Sequence, residues 1–194
     1  KIELQNIAHS YNPQAADKAY ALNPFNMTWV DGGRYAILGP SGCGKTTMLN
    51  IMSGIVQPSE GKLLFNDVDV TKLSTSERNI AQVFQFPVIY GTMSVEQNLA
   101  FPLVCRNYEK AAIVAKVQEV AGALSLEGLL KKSASKLTAD QKQLISLGRG
   151  LVRDDVAAVL MDEPLTVIDP DLKFRLRRQL KEINQKYRST LIYV

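Results

Sequence analysis

The chain reads as an α/β protein built around a largely parallel sheet. Three observations predict this. Short apolar and β-branched runs alternate with segments whose apolar residues recur at helical spacing, the pattern of strands covered by helices. A glycine-rich segment, Gly39-Pro40-Ser41-Gly42-Cys43-Gly44-Lys45-Thr46-Thr47, joins an apolar run to a helical one. A second apolar run, Ala158-Val159-Leu160-Met161, ends in two acids, Asp162 and Glu163. The 194 residues suffice for one domain with a sizeable core, and 46% hydrophobic with 22% charged residues is the balance of a globular chain.

Each element follows from its local pattern. Ile2 to Ile7 alternates as a strand, and a second strand lies near Phe25 to Val30. The turn Asp31-Gly32-Gly33 leads into the strand Tyr35-Ala36-Ile37-Leu38. Beyond the glycine-rich segment, Met48, Leu49, Ile51, Met52 and Ile55 fall on one side of a helix. Leu63-Leu64-Phe65 is a short strand before the polar turn Asn66-Asp67, and Ile80 to Phe84 is a further buried strand. From Pro87 to Val152 the character is helical. Ile113, Val114, Val117, Val120, Ala121 and Leu124 form one apolar face, and Leu144, Ile145, Leu147, Leu151 and Val152 another. Val156 to Met161 is an apolar strand. Asp169 caps and Pro170 opens a last helix, with Leu172, Leu176, Leu180, Ile183 and Tyr187 as its buried stripe. Thr190 to Val194 closes the chain as a core strand. The expected organisation is a core of residues 1–86 and 153–194 with a helical subdomain, residues 87–152, inserted between two core strands.

Charge and cysteine usage narrow the setting. The net charge of +4 is modest. The basic residues gather mainly between Arg175 and Arg188 and read as a solvated helix face, so no nucleic-acid partner is expected. No uninterrupted apolar stretch is long enough to cross a bilayer. The start, Lys1-Ile2-Glu3-Leu4, reads as a strand rather than a signal peptide. One of the two cysteines, Cys43, lies inside the glycine-rich segment and the other is Cys105, so a cytoplasmic chain without a structural disulfide is expected.

The glycine-rich segment matches G-x-x-x-x-G-K-[ST] at every position, between a strand pattern and a helix pattern. Such a loop is a phosphate cradle. Its glycines let successive N–H groups converge on one anion, and the helix N-terminus adds positive potential. Lys45 is placed to reach the β- and γ-phosphates, and the Thr46 hydroxyl to ligate Mg²⁺. The chain is therefore expected to bind a nucleoside triphosphate. Phosphoryl transfer with Mg²⁺ also needs a carboxylate at a strand end beside the loop, and Asp162 fits, directly or through water. Glu163, next in sequence, is the candidate general base for the attacking water.

The order of these motifs resembles ABC transporter ATPase subunits over the whole chain. It runs from phosphate loop to Val83-Phe84-Gln85, a helical insertion, Leu-x-x-x-Gln, and a strand ending in Asp-Glu-Pro. The phosphate loop, Glu77-Arg78-Asn79-Ile80-Ala81-Gln82-Val83-Phe84-Gln85 and Asn98-Leu99-Ala100-Phe101-Pro102-Leu103 are similar to carbohydrate and polyol importers. Phe86-Pro87-Val88-Ile89-Tyr90 is similar to glycerol-type importers. The resemblance implies a nucleotide-binding P-loop core with an antiparallel β subdomain, and ATP and Mg²⁺ as ligands. It implies that Tyr11 stacks on the adenine, and that Gln85 contacts Mg²⁺ or water and relays nucleotide state. It places Asp169 in a loop that crosses to a second ATPase subunit. It further implies membrane permease subunits as partners and a location on the inner face of the cell membrane.

Two departures bear on that expectation. The family signature Leu-Ser-Gly-Gly-Gln, which covers the ATP of the opposing subunit, is here Leu137-Thr138-Ala139-Asp140-Gln141. Ala139 adds a methyl group and Asp140 a carboxylate. At 4 Å, two like unit charges cost about 4 kcal/mol at an effective dielectric of 20. The second ATPase subunit is accordingly expected to be a non-identical one with an intact signature, unless Asp140 turns aside to cap its own helix. Gly148 and Gly150 in the following helix each cost about 1 kcal/mol against alanine. The family's switch histidine would follow Val194 after one intervening residue, and His9, the only histidine, does not take that place. The chain thus reads as truncated before that histidine, and without the accessory C-terminal domain of sugar-importer ATPases. Two other functional classes remain open from the sequence: a soluble ABC-type ATPase acting on DNA or ribosomes, and a nucleotide-binding regulatory module without transport.

Overall fold

The N-terminal alternation folds into the central strand of an antiparallel sheet. The computed structural model describes residues 1–14, 19–153, 155–166, 168–170, 173, 174, 177, 178 and 190–194. Strand β1 (Ile2–His9) pairs antiparallel with β2 (Leu22–Trp29) on one side and with β4 (Glu60–Phe65) on the other, and β4 pairs with the short β5 (Val68–Asp69). Ile2, Leu4 and Ile7 of β1 are buried. The register slips between Leu4 and Ile7, where Asn6 has φ 53°. That bulge carries the inward alternation from even to odd positions.

A second sheet is parallel. Strand β3 (Arg34–Ala36) pairs with β8 (Thr190–Tyr193), and β8 pairs with β7 (Ala158–Met161). All four residues of β7 are buried, the continuous apolar run expected of a parallel strand. The apolar run entering the glycine-rich segment is shorter as a strand than its composition predicts. Ile37 N–H still donates to Tyr193 O (2.8 Å), but Leu38 is 91% exposed, because the chain leaves the sheet there to form the loop.

Helix α1 (Lys45–Ser53) follows the loop and buries Met48, Leu49, Ile51 and Met52. They share one core with Ile2, Leu4, Ile7 and Trp29 of the antiparallel sheet and Ala158, Leu160 and Ile192 of the parallel one. Ile55 lies past the helix end. Gly54 caps α1 in the left-handed region, so the chain has already turned and Ile55 is exposed. Arg78 seals that end. Its guanidinium, 2% exposed, donates to the carbonyls of Ile51 and Met52 on α1 and of Thr71 and Leu73 on the following loop. Burial without a carboxylate partner pulls its pKa below the usual guanidinium range.

These elements form one compact unit, Lys1–Ile80 with Val156–Asp162 and Arg188–Val194; a second comprises Ala81–Asp155 and Glu163–Tyr187. The second unit is mainly helical. Strand β6 (Ile80–Val83) leads into it and ends one residue before Phe84. Helices α2 (Val95–Val104), α3 (Lys110–Ala123) and α4 (Ala139–Leu151) follow. Ser94 with Gln97 forms a capping box on α2, and Thr138 with Gln141 forms one on α4. Leu99, Leu103, Val117, Val120, Ala121, Leu124, Leu144 and Leu147 are buried among the three helices, whereas Val114 is exposed on α3. The two glycines of α4 are packing devices. A methyl group on Gly148 would meet Leu99 Cδ2 at 2.5 Å, and one on Gly150 would meet Val83 Cγ2 at 2.7 Å. Their absent side chains let α4 lie close to its neighbours. Lys173 N–H donates to Asp169 O (2.8 Å), so a helical turn opens at Asp169-Pro170. Leu172, Leu176, Leu180, Ile183 and Tyr187 lie outside the described residues, as do Arg175, Lys181, Lys186 and Arg188; Arg177 and Arg178 are exposed.

Arg78→Met is expected to destabilise the fold by about 3 kcal/mol or more, because buried carbonyls lose a charged donor. Urea unfolding checks this, and an unchanged midpoint would refute the sealing role.

Candidate functional site

The first unit holds the phosphate loop. Residues Gly39 to Cys43 are exposed. Gly44, the N-cap of α1, has φ 94°, and a methyl group there would meet Ala21 O at 2.6 Å, so the position demands glycine on two counts. No side chain caps α1 and its first turn carries no acid. The first-turn N–H groups have no intrahelical partner. Helices α2 and α4 are built the other way, with a capping box each and Glu96 or Asp140 in the first turn. Helix α3 also lacks a side-chain cap, but its N-cap residue is an acid, Glu109, so the start of α1, with Gly44 as its N-cap, is the one suited to an anion.

Lys45 and Thr46 take defined positions beside it. Lys45 Nζ donates to Gly39 O (2.9 Å) and Pro40 O (2.8 Å), which holds the ammonium over its own loop. Thr46 Oγ1 donates to Asp162 Oδ1 at 3.1 Å. Asp162 follows the last residue of β7 and is 8% exposed. A hydroxyl and a carboxylate from opposite ends of the sequence are thus paired at the start of α1. Both are hard oxygen donors, the kind Mg²⁺ takes in one or two places while phosphate and water fill the rest. Among the described residues no cluster of three or more His, Cys, Asp or Glu could hold a metal alone. The pair therefore fits a Mg²⁺ that arrives with a phosphate ligand. Tyr11 is 68% exposed. Its hydroxyl lies 3.3 Å from Thr47 Oγ1, and its ring packs T-shaped against His9 at 4.6 Å between centroids. One aromatic face is held beside the loop by contacts that leave most of the ring in solvent. Cys43 and Cys105 are both free and exposed.

The other sequence-predicted residues belong to the second unit. Gln85 is half-buried just beyond β6. Glu163 is exposed with φ 45°, a left-handed conformation. Thr166 holds it, with Oγ1 donating to Glu163 Oε2 and N–H to Glu163 O, both at 3.2 Å. In the altered signature Thr138, not Asp140, is the cap of α4. Thr138 Oγ1 accepts from Gln141 N–H and Gln141 Oε1 from Thr138 N–H, leaving Asp140 in the first turn beside the N–H groups of Ala139 and itself. The idea that Asp140 caps its own helix is thereby overturned, since Thr138, two residues earlier, already fills that place.

Sequence reasoning passed over several polar residues here. Asn98, fully buried, donates to Tyr90 O (3.0 Å) and accepts from Tyr90 N–H (2.8 Å). The Arg149 guanidinium stacks 4.5 Å over the Tyr90 ring and donates to Val88 O. Gln143 donates to Phe84 O and Pro164 O. The available signal was a polar residue at an inward helical position, Asn98 beside Leu99 and Gln143 beside Leu144 and Ile145.

The family model described as ABC transporter matches residues 22–166. The chain belongs to the ABC transporter family. It is 36% identical over 193 residues to the sn-glycerol-3-phosphate import ATP-binding protein UgpC of Escherichia coli (strain K12), covering 100% of this chain and 53% of that protein. It is 38% identical over 194 residues to the trehalose import ATP-binding protein SugC of Mycobacterium tuberculosis, covering 100% of this chain and 48% of that one. The chain thus spans about half the length of the curated relatives it matches. Among solved structures, cbiO1 from Clostridium perfringens, part of the ABC transporter complex cbiONQ, superposes with a TM-score of 0.84 at 26% identity, covering 99% of this chain and 76% of that one. The dimeric, ADP- and Pi-bound ATP-binding cassette MJ0796 has the same fold, with a TM-score of 0.87 at 24% identity over 100% of this chain and 87% of that one. The α/β fold with its parallel and antiparallel sheets is that of ABC ATPase cassettes. Among the described residues no helix is long and apolar enough to cross a membrane.

Lys45→Ala is expected to weaken binding of a fluorescent ATP analogue by about tenfold or more, the loss of a charge-assisted hydrogen bond. The fold should persist, because Lys45 bonds only its own exposed loop. Equilibrium titration with circular dichroism checks both, and wild-type affinity would contradict the assignment.

Proposed function

We propose that the chain is the ATP-binding part of an ABC importer that couples ATP hydrolysis to uptake of a sugar or polyol. The observation that carries this reading is the Thr46–Asp162 pair at an uncapped, acid-free helix start behind the glycine-rich loop. The import of sn-glycerol-3-phosphate and of trehalose named for the relatives supports the substrate class.

In this reading the loop N–H groups and Lys45 bind the β- and γ-phosphates, Lys45 exchanging its bonds to Gly39 and Pro40 for phosphate oxygens. Thr46 and Asp162 would hold Mg²⁺, whose chemistry there is neutralisation of charge on the phosphate oxygens. Tyr11 stacks on the adenine. Gln85 contacts Mg²⁺ or water and reports nucleotide state to the permease. Glu163 accepts a proton from the attacking water. Residues 1–86 and 153–194 act as the nucleotide core and 87–152 as the helical subdomain. The protein works at the inner face of the membrane against permease subunits and a second ATPase subunit.

Two predictions follow from the site's composition. In the assembled transporter, Glu163→Gln should keep ATP affinity and lower turnover by about a hundredfold or more, because shape is kept and the proton acceptor is lost. Undiminished steady-state phosphate release would rule out Glu163 as the base.

The second concerns the partner. Each nucleotide would take its loop from one subunit and its signature from the other. Asp140 sits in the first turn of α4, where its charge stabilises the helix and repels a γ-phosphate. The functional partner is therefore a different subunit with an intact signature. The purified complex should contain two distinct ATPase chains by mass, and restoring Ser-Gly-Gly at Thr138-Ala139-Asp140 should raise turnover. Two copies of this chain, fully active and without gain on restoration, would refute it.

A further inference from the structure

Helix α4 carries one polar side chain that does nothing for α4 itself. Gln143 is fully buried, next to Leu144 and Ile145, which are buried too. Its Nε2 donates to Phe84 O (3.0 Å) and Pro164 O (2.8 Å), so both amide hydrogens are used on backbone carbonyls 59 and 21 residues away in sequence. Its Oε1 is buried with no partner among the described residues. An unpartnered buried carbonyl costs stability. A helix seeking only to pack would carry leucine at this position.

The two carbonyls are informative. Phe84 O belongs to the peptide bond whose nitrogen is Gln85, and Pro164 O to the peptide bond between Pro164 and Leu165, one residue beyond Glu163. One nitrogen thus joins the segment bearing Gln85 to the segment bearing Glu163, within a single unit. The Glu163 turn is otherwise held through Thr166, and Glu163 has φ 45°, so without further anchorage it would relax toward commoner backbone conformations.

We propose that Gln143 is a positioning residue for the hydrolytic step, fixing the separation of Gln85 and Glu163 through Phe84 O and Pro164 O. The proposal rests on the ATPase reading given above. Gln143 acts through the two backbone carbonyls it binds. Its effect is expected on the rate of chemistry and not on binding, since its amide donates to Phe84 O and Pro164 O. A small displacement of a catalytic group lowers rate steeply.

The test uses the assembled transporter with Gln143→Leu, Gln143→Glu and, for reference, Glu163→Gln. Gln143→Leu keeps volume and removes both donors. It should lower kcat by about tenfold or more while KM and ATP-analogue affinity stay within about twofold of wild type. Gln143→Glu adds a pH signature. Ionised, its carboxylate faces two carbonyl oxygens and donates to neither; protonated, it recovers one donor. Its kcat relative to wild type should therefore rise as pH falls through the range in which a buried glutamate gains its proton, about pH 9 to 6. A merely structural role would lower binding and kcat together and leave that ratio flat. Wild-type kcat in Gln143→Leu, or a parallel loss of affinity and kcat, overturns the proposal. Should Gln143→Leu fail to fold, a pH-independent ratio in Gln143→Glu overturns it equally. Turnover lost in Glu163→Gln but kept in Gln143→Leu defeats the positioning role alone; turnover kept in Glu163→Gln removes Glu163 as the base and this proposal with it, and an absence of turnover in the wild-type transporter defeats the ATPase reading itself.

Discussion

Helix α1 has to begin open, and the first unit is arranged around that constraint. A capping side chain contributes about 1 kcal/mol to a helix, and an acid in the first turn adds further. Either would occupy the N–H groups and the positive potential that an anion needs. Gly44 supplies the turn without a side chain and the first turn carries no acid. The stability forgone is made up elsewhere on the same helix. Met48, Leu49, Ile51 and Met52 bury one face against both sheets, and Arg78 binds the last carbonyls. The helix is held by its side and its end so that its start can stay unengaged.

Helix α4 answers the same physics in the opposite way. Thr138 and Gln141 close its start reciprocally, and Asp140 adds a charge of the sign the helix dipole favours. Nothing about the folding of α4 therefore selects against Asp140. Only a phosphate brought to that terminus would, so the substitution is neutral for the fold and costly for one role.

The parts of this molecule set by neighbours in sequence were legible in the sequence. The alternation of β1, the apolar run of β7, the helical spacing of α3 and α4 and the full phosphate-loop motif all fold at the predicted places. The misses lie where the third dimension decides. Leu38 is as apolar as its strand neighbours, yet the loop's departure from the sheet exposes it. Ile55 keeps helical spacing but lies beyond Gly54. Gly148 and Gly150 look like helix defects until Leu99 and Val83 are seen filling the space a methyl group would take. At the site, Lys45, Thr46 and Asp162 could be named because their chemistry is local to motifs. Gln143 could not, because its hydrogen bonds go to two carbonyls that the sequence does not mark.

The chain passes from the first unit to the second between Asp162 and Glu163, and the two acids are held in different ways. Asp162 ends a buried strand and needs only the Thr46 hydroxyl to settle its carboxylate. Glu163 occupies a conformation that costs a non-glycine residue about 1–3 kcal/mol. A strained residue persists when its surroundings over-determine it, and here Thr166 binds its carboxylate and carbonyl while Gln143 binds the carbonyl of the next residue. The strain aims a side chain away from the direction that strand continuation would give it. In the function proposed above, the two adjacent carboxylates take unlike roles, one as an oxygen ligand at the loop and one as a proton acceptor, and the turned backbone between them is what separates those roles.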